Sequence, residues 1–274
     1  MRSLLLKKIF SPGLLPLLLL LAGLQVTAQK DSGSVFSSFD GTKIYYEVKG
    51  NGTPVILVHG FIVNGQSWKR TALYSDLLEK GYKVIIPDLR GNGQSDKPHN
   101  PEAYEQDAEA KDIMALASRL HLKKYEVVGY SRGSIIVSRL LVLDKRVTKA
   151  VMGGLGADFT NPEWPRRILF YHALMGDTVK ELESMVKYVQ QQQLDQLALA
   201  YLQKAQPSTT KAELARIKKP VLLICGDQDT DNGSAKELMT LIPGAKYQEV
   251  PGVHNTANGT AAFSRAVIDF LQKK

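Results

Sequence analysis

Six short apolar runs in this chain each stop at a polar or glycine-rich turn, and helix-like stretches separate most of them. Residues 55–58 run into His59-Gly60-Phe61, and residues 84–86 into Pro87-Asp88-Leu89-Arg90-Gly91. Residues 126–128 run into Gly129-Tyr130-Ser131-Arg132-Gly133, and residues 149–152 into Gly153-Gly154. Residues 221–225 end at Gly226-Asp227-Gln228-Asp229, and residues 246–250 at Pro251-Gly252-Val253-His254. Helical patterning is expected over residues 68–80, 104–121, 134–143, 234–241 and 261–273. Before all of these, residues 34–48 alternate and break at Asp40-Gly41, the signature of a hairpin. Runs this short and this continuously apolar suit strands covered on both faces, so the pattern implies a mostly parallel sheet flanked by helices. In such sheets the functional site lies beyond the C-terminal ends of the strands. The turn residues just named are therefore expected to converge, although they are far apart in sequence.

The alternation fails once. Between about residues 157 and 215 there is no strand signal. Leu182, Met185, Val186 and Val189 form one helical stripe, and Leu194, Leu197, Ala198 and Tyr201 form another. Two readings stand: helices that pack on the main core, or a helical lid inserted after the sixth strand and roofing a pocket. The second divides the chain into a first core segment (29–156), a lid (157–215) and a second core segment (216–274).

Residues 1–28 have the plan of an export signal. Arg2, Lys7 and Lys8 precede an apolar run, and Val26-Thr27-Ala28 supplies small residues for cleavage. The run is shorter than the roughly 18 residues of a membrane span. An uncleaved anchor is the alternative; otherwise the expected product is exported, periplasmic or extracellular, without stable membrane insertion. The formal charge of +8 is partly this segment, since its removal takes three basic and no acidic residues. The other basic residues are scattered pairs such as Lys123-Lys124, Arg166-Arg167 and Lys218-Lys219, with no recognition motif, so no nucleic-acid partner is expected. A single cysteine, Cys225, excludes an internal disulfide and four-thiolate metal sites. It lies in an expected buried strand and reads as a core residue.

The chemistry centres on Gly129-Tyr130-Ser131-Arg132-Gly133, a G-x-S-x-G between a strand and a helix. Glycines on either side permit a tight turn that lifts the serine hydroxyl above the sheet. Alone the motif is weak; its context gives it meaning. A serine needs a base, and of five histidines His254 follows the last strand, in the order Ser…Asp/Glu…His. The remaining histidines suit other duties: His59 holds a loop, His99 and His121 lie in a loop and at a helix end, and His172 packs or lines the lid. For the orienting acid, Asp227, Asp229 and Asp231 crowd one strand end, and Asp158 after the sixth strand competes. The amides of Phe61 and Arg132 are expected to form an oxyanion hole. His172 and Trp164 are candidate substrate-binding residues, and the Arg132 side chain faces either the pocket mouth or solvent.

Taken together these motifs resemble the α/β-hydrolase superfamily, in the serine-nucleophile branch with a short helical cap, over nearly all of residues 34–271. His59-Gly60-Phe61 matches its H-G-aromatic motif, and Asp88-Leu89-Arg90-Gly91-Asn92-Gly93-Gln94-Ser95 its D-x-R-G-x-G-x-S. The elbow, Gly226-Asp227-Gln228-Asp229 and the late His254 follow in family order. The resemblance implies a mostly parallel α/β-hydrolase sheet with helices on both faces and a small lid after strand 6. It also implies that Asp229, closing G-x-x-D, is the triad acid, and that no metal or organic cofactor is needed. Two positions depart from the pattern: Ser134 stands where many relatives have glycine, and Asp231-Asn232-Gly233 where a proline is common.

The expected function is a cofactor-free serine hydrolase of a small or medium carboxylic ester, with a small molecule as its partner. C–C bond hydrolases, peptidases and haloperoxidase-like enzymes share the triad, and a non-catalytic binding protein on this fold is the alternative of a different class. A serine nucleophile argues against dehalogenase and epoxide-hydrolase relatives, which use aspartate there. Substrate identity and oligomeric state are open at this level.

Overall fold

A computed structural model describes residues 33–273; the export signal read in residues 1–28 lies outside them. Eight strands form one sheet: β1 (Ser34–Ser37), β2 (Lys43–Lys49), β3 (Pro54–Val58), β4 (Lys83–Pro87), β5 (Tyr125–Tyr130), β6 (Val147–Gly153), β7 (Val221–Gly226) and β8 (Lys246–Val250). Their spatial order is β1-β2-β4-β3-β5-β6-β7-β8. The hairpin strands β1 and β2 run antiparallel at one edge, and every pairing from β4 to β8 is parallel. The central strands are apolar and largely buried, and β5 and β7 are buried along their whole length. Such a strand needs cover on both faces, and it has it.

One face carries α1 (Gln66–Lys69), α2 (Ala72–Glu79) and α10 (Ala261–Gln272), whose Trp68, Leu73, Leu77, Phe263 and Val267 pack on Val55, Leu57 and Val128. On the other face lie α3 (Ala108–Arg119), α4 (Arg132–Leu143) and α9 (Ala235–Leu241), which bring Ile113, Leu116, Ile136, Leu140 and Leu238 onto Ile56, Val127 and Leu223. The sheet is thus the middle of three layers.

Two expected helices are interrupted. The 68–80 segment splits because Thr71 is extended (φ −98°, ψ 151°) and its hydroxyl bonds the Trp68 carbonyl at 2.7 Å. The 104–121 segment loses its first turn to left-handed residues Gln106 and Asp107 (φ 53° and 62°). Asp107 is held there by Arg139 at 2.9 Å, a contact from another helix that local periodicity does not encode.

Between β6 and β7 the chain is helical: α5 (Pro165–Met175), α6 (Glu183–Gln191), α7 (Gln196–Lys204) and α8 (Lys211–Leu214). Leu174, Val189, Ala198, Leu199 and Leu202 of α5–α7 join Tyr104 in a small separate core, with Phe61 and Ile62 packed against it. The insertion therefore rests on the strand-end loop that carries Phe61. Among the described residues no helix is long and apolar enough to cross a membrane.

Candidate active site

At the end of β5 the chain turns through Ser131 directly into α4. Ser131 takes φ 53° and ψ −122°, a conformation that costs an L-residue about 1–3 kcal/mol and persists only where its surroundings enforce it. They do so by close approach. A Cβ on Gly133 would lie 2.1 Å from the Val58 carbonyl oxygen, and one on Gly129 2.5 Å from the Gly133 carbonyl carbon. The Ser131 N–H donates to Gly153 O at 2.8 Å, which pins the turn to β6. Ser134, the first departure from the family pattern, donates its hydroxyl to the same carbonyl at 2.7 Å and is fully buried. The substitution thus adds a tether to the elbow.

His254 reaches this serine from the loop after β8. Its Nε2 lies 2.9 Å from Ser131 Oγ, and its Nδ1 lies 2.9 Å from Asp229 Oδ2. With Nδ1–H donated to the carboxylate, Nε2 is left to accept the serine proton. Tyr130 steadies the ring from behind: its centroid is 5.4 Å from that of His254, and its hydroxyl donates to the His254 carbonyl at 2.6 Å. Burial pushes the Tyr130 phenol far above its usual range, so it remains a donor. The Asp229 side chain is 3% exposed and that of His254 14%, so the pair is shielded yet open towards the serine.

The four acids that the sequence offers are separated by geometry. Asp227 accepts from the Gly252 N–H at 2.9 Å and braces the loop that carries His254. Asp231 faces Arg166 at 3.5 Å. Asp158 is exposed and packs against Gly233, where a Cβ would stand 2.3 Å from its Oδ1. Among the described residues only Asp229 bonds the imidazole. Asn232, the second departure, donates to Gly154 O at 2.9 Å and accepts from the Gly156 N–H at 3.0 Å. It ties the acid's loop to the end of β6 by hydrogen bonds instead of a proline ring.

Phe61 and Arg132 border a cavity of about 280 Å³ that also exposes Ser131 and His254. Arg132 opens α4, so its N–H has no carbonyl one turn earlier to bond and the helix N-terminus adds positive potential there. His59 holds the Phe61 loop: Nε2 accepts from the Leu89 N–H at 3.0 Å, and Nδ1 donates to Gly60 O at 2.8 Å. Burial lowers its basicity, which suits a neutral structural imidazole.

Trp164 lines the cavity. His172 does not: it is half-exposed and pairs with Asp177 at 2.7 Å, because the turn after α5 brings that carboxylate beside it. The Arg132 side chain faces neither mouth nor solvent. It is 4% exposed and forms a buried ion pair with Glu109 of α3, while its Nη1 donates to Gln206 at 3.3 Å. Arg166, Arg167, Gln203 and Gln206 also border the cavity. Sequence reasoning passed over them, since Arg166-Arg167 looks like one more surface pair until α5 is folded over the strand ends. Among the described residues no group of three or more His, Cys, Asp or Glu is arranged to hold a metal ion.

Comparison with known proteins agrees with this architecture. Residues 53–184 match the family described as the α/β hydrolase fold. The non-heme chloroperoxidase of Streptomyces lividans is 36% identical over 124 residues, 44% of this chain and 43% of its own. Epoxide hydrolase 3 of Siraitia grosvenorii is 36% identical over 97 residues, 35% of this chain and 30% of its own. The chain thus matches less than half the length of these curated relatives. A bromoperoxidase crystal structure from Bacillus anthracis superposes with a TM-score of 0.69 at 25% identity, over 88% of this chain and 100% of that one. The described residues thus have the α/β-hydrolase fold, and residues 53–184 match that family.

Proposed function

We propose that this protein is a serine hydrolase that cleaves a small or medium carboxylic ester through an acyl-enzyme. The observation that carries the reading is the unbroken relay Asp229–His254–Ser131, with both links at 2.9 Å, opening on a cavity. In this mechanism Ser131 Oγ attacks the ester carbonyl as its proton passes to His254 Nε2. The oxyanion is held by the amides of Phe61 and Arg132, a contribution of about 2.7–4 kcal/mol per donor to the transition state. His254 then protonates the leaving alcohol; it next takes a proton from water as the water oxygen attacks the acyl-enzyme, and gives that proton to Ser131 Oγ as the acid leaves. Asp229 keeps the imidazole in the required tautomer and stabilises its charged form. A serine at the elbow speaks against the epoxide-opening chemistry named for the Siraitia relative, which in that branch is expected to start from a carboxylate nucleophile.

The test uses purified protein with a fluorophosphonate probe and a p-nitrophenyl ester, wild type against Ser131→Ala. Labelling and turnover of the wild type, both lost in the variant, are expected; an unlabelled wild type overturns the reading. The chloroperoxidase and bromoperoxidase relatives favour one second reading, peroxide-dependent halogenation at the same serine. Bromination of a diketone with hydrogen peroxide, bromide and acetate, in which the acyl-enzyme would pass its acyl group to peroxide and the released peracid would oxidise bromide, is compared with ester turnover on the same preparation and decides between them. Export through residues 1–28 is part of the proposal, and N-terminal sequencing of the secreted protein is expected to begin near Gln29.

A further inference from the structure

The cavity over Ser131 is walled mainly by apolar groups, among them Ile135, Leu155, Trp164 and Phe170, yet three arginines border it. Two are neutralised. Arg132 is in a buried ion pair with Glu109, and Arg166 faces Asp231 at 3.5 Å while its guanidinium lies 4.9 Å over the Phe170 ring. Arg167 differs. Its Nη1 donates to Gln203 O at 3.1 Å and Lys204 O at 2.6 Å, and its Nη2 donates to Pro162 O at 2.6 Å. Those carbonyls have no net charge, and among the described residues no carboxylate pairs with this cation.

A guanidinium has five N–H donors. Three are engaged here, and the buried Nε–H has no partner among the described residues. Buried donors are nearly always satisfied, so a vacant one beside a cavity calls for an explanation. Capping the last carbonyls of α7 accounts for Nη1 but leaves Nε without a role. In a guanidinium Nε–H and one Nη2 hydrogen lie along one edge, which matches the two oxygens of a carboxylate, and here Nη2 gives one of its two hydrogens to Pro162 O. Gln206 borders the same cavity; its Oε1 accepts from Arg132, which leaves its amide hydrogens to donate.

We propose that the substrate carries a free carboxylate that docks on the Nε–Nη2 edge of Arg167 while its ester carbonyl lies at Ser131. The substrate class is then carboxylate-bearing esters, of which half-esters of short dicarboxylic acids are the simplest members. The docked carboxylate takes no part in the bond changes, and the inference rests on the serine-hydrolase reading of the site.

Monoethyl adipate and ethyl hexanoate have acyl chains of equal length and differ in the terminal carboxylate. Acid release is followed by pH-stat titration for wild type, Arg167→Gln, Arg167→Lys and Arg166→Gln. The wild type is expected to favour the charged ester in kcat/KM by about tenfold or more, mostly through KM. Arg167→Lys keeps a cation on the α7 carbonyls but loses the fork, and its ratio is expected to fall to near unity. Arg166→Gln is expected to retain most of the wild-type ratio. A wild-type ratio near unity overturns the proposal, as does an Arg167→Lys ratio equal to that of the wild type. Calorimetric titration with adipate and with adipamide separates this inference from the mechanism beneath it. If neither ester is cleaved, the hydrolase reading fails. Adipate binding that is absent with adipamide and lost in Arg167→Lys still supports the carboxylate site, and equal or absent binding of the two overturns it.

Discussion

Ser131 sits at a φ of 53° because three separate strands hold it there, with Gly133 against β3, the Ser131 amide on β6, and β5 itself. At the residue scale that enforcement matters as much as the contacts to His254 and Asp229. Asp229 shows why placement outranks residue type, since Asp227 and Asp231 share its loop and make unrelated bonds. Asp229→Asn is expected to lower kcat by about 10³–10⁴-fold, because an amide at that position favours the wrong imidazole tautomer. Asp158→Asn is expected to change it less than about threefold, in keeping with its exposed position against Gly233. Steady-state kinetics on the two variants checks both statements; the reverse pattern would move the acid to the end of β6. That Ser131 and His254 would meet was legible from motif order, and they lie 2.9 Å apart. The choice of acid needed family pattern at the level of sequence, because three aspartates within five residues are equivalent to any local rule.

At the scale of single elements, α4 joins the elbow to the core. Its N-terminal Gly133 is in van der Waals conflict with any larger residue, so Gly133→Ala is expected to destabilise the protein by about 1–3 kcal/mol and to reduce ester turnover with it. Thermal denaturation alongside activity is the measurement. At the other end Asp144 closes the helix, accepting from the Tyr125 hydroxyl at 2.9 Å and from Arg146 at 2.7 Å. Burial pulls its pKa up, but the Arg146 and Tyr125 hydrogen bonds outweigh that and hold it below the ordinary 3.8. A carboxylate with a depressed pKa stabilises the fold above the unfolded value and ceases to do so as pH falls through the folded one. Asp144→Asn is therefore expected to cost about 1–3 kcal/mol at neutral pH, with the deficit shrinking below the ordinary aspartate value of 3.8. Urea melts of the pair at neutral pH and at pH below that value test the sign. Short apolar strands were readable from sequence because their burial is written in every residue. The breaks at Thr71 and Asp107 were not, because a hydroxyl–carbonyl bond and an arginine from α4 decide them.

Over the molecule as a whole, one sheet is sandwiched between two layers of helices, and the insertion between β6 and β7 keeps its own small core. The lone thiol reports on this. Cys225 on β7 is 6% exposed, and burial pushes its pKa up to about 11. It is expected to resist a disulfide reagent at pH 8 in the native protein and to react stoichiometrically in denaturant. Rapid native labelling would show that β7 opens far more easily than its place in the sheet implies.

The amino-acid sequence alone determined the strand–helix alternation, the parallel sheet, and the convergence of Ser131 and His254 at the strand ends. Each of these is encoded locally, by apolar runs and by the turns that stop them. Only the tertiary structure decided what surrounds Ser131. It joined Arg132 to Glu109 from a helix 23 residues away, turned His172 out to Asp177, and brought Arg167 to the cavity with part of its fork unpaired. Side chains on the insertion acquire a partner or lack one only after the helices have packed across the strand ends, and no spacing within the chain encodes that crossing.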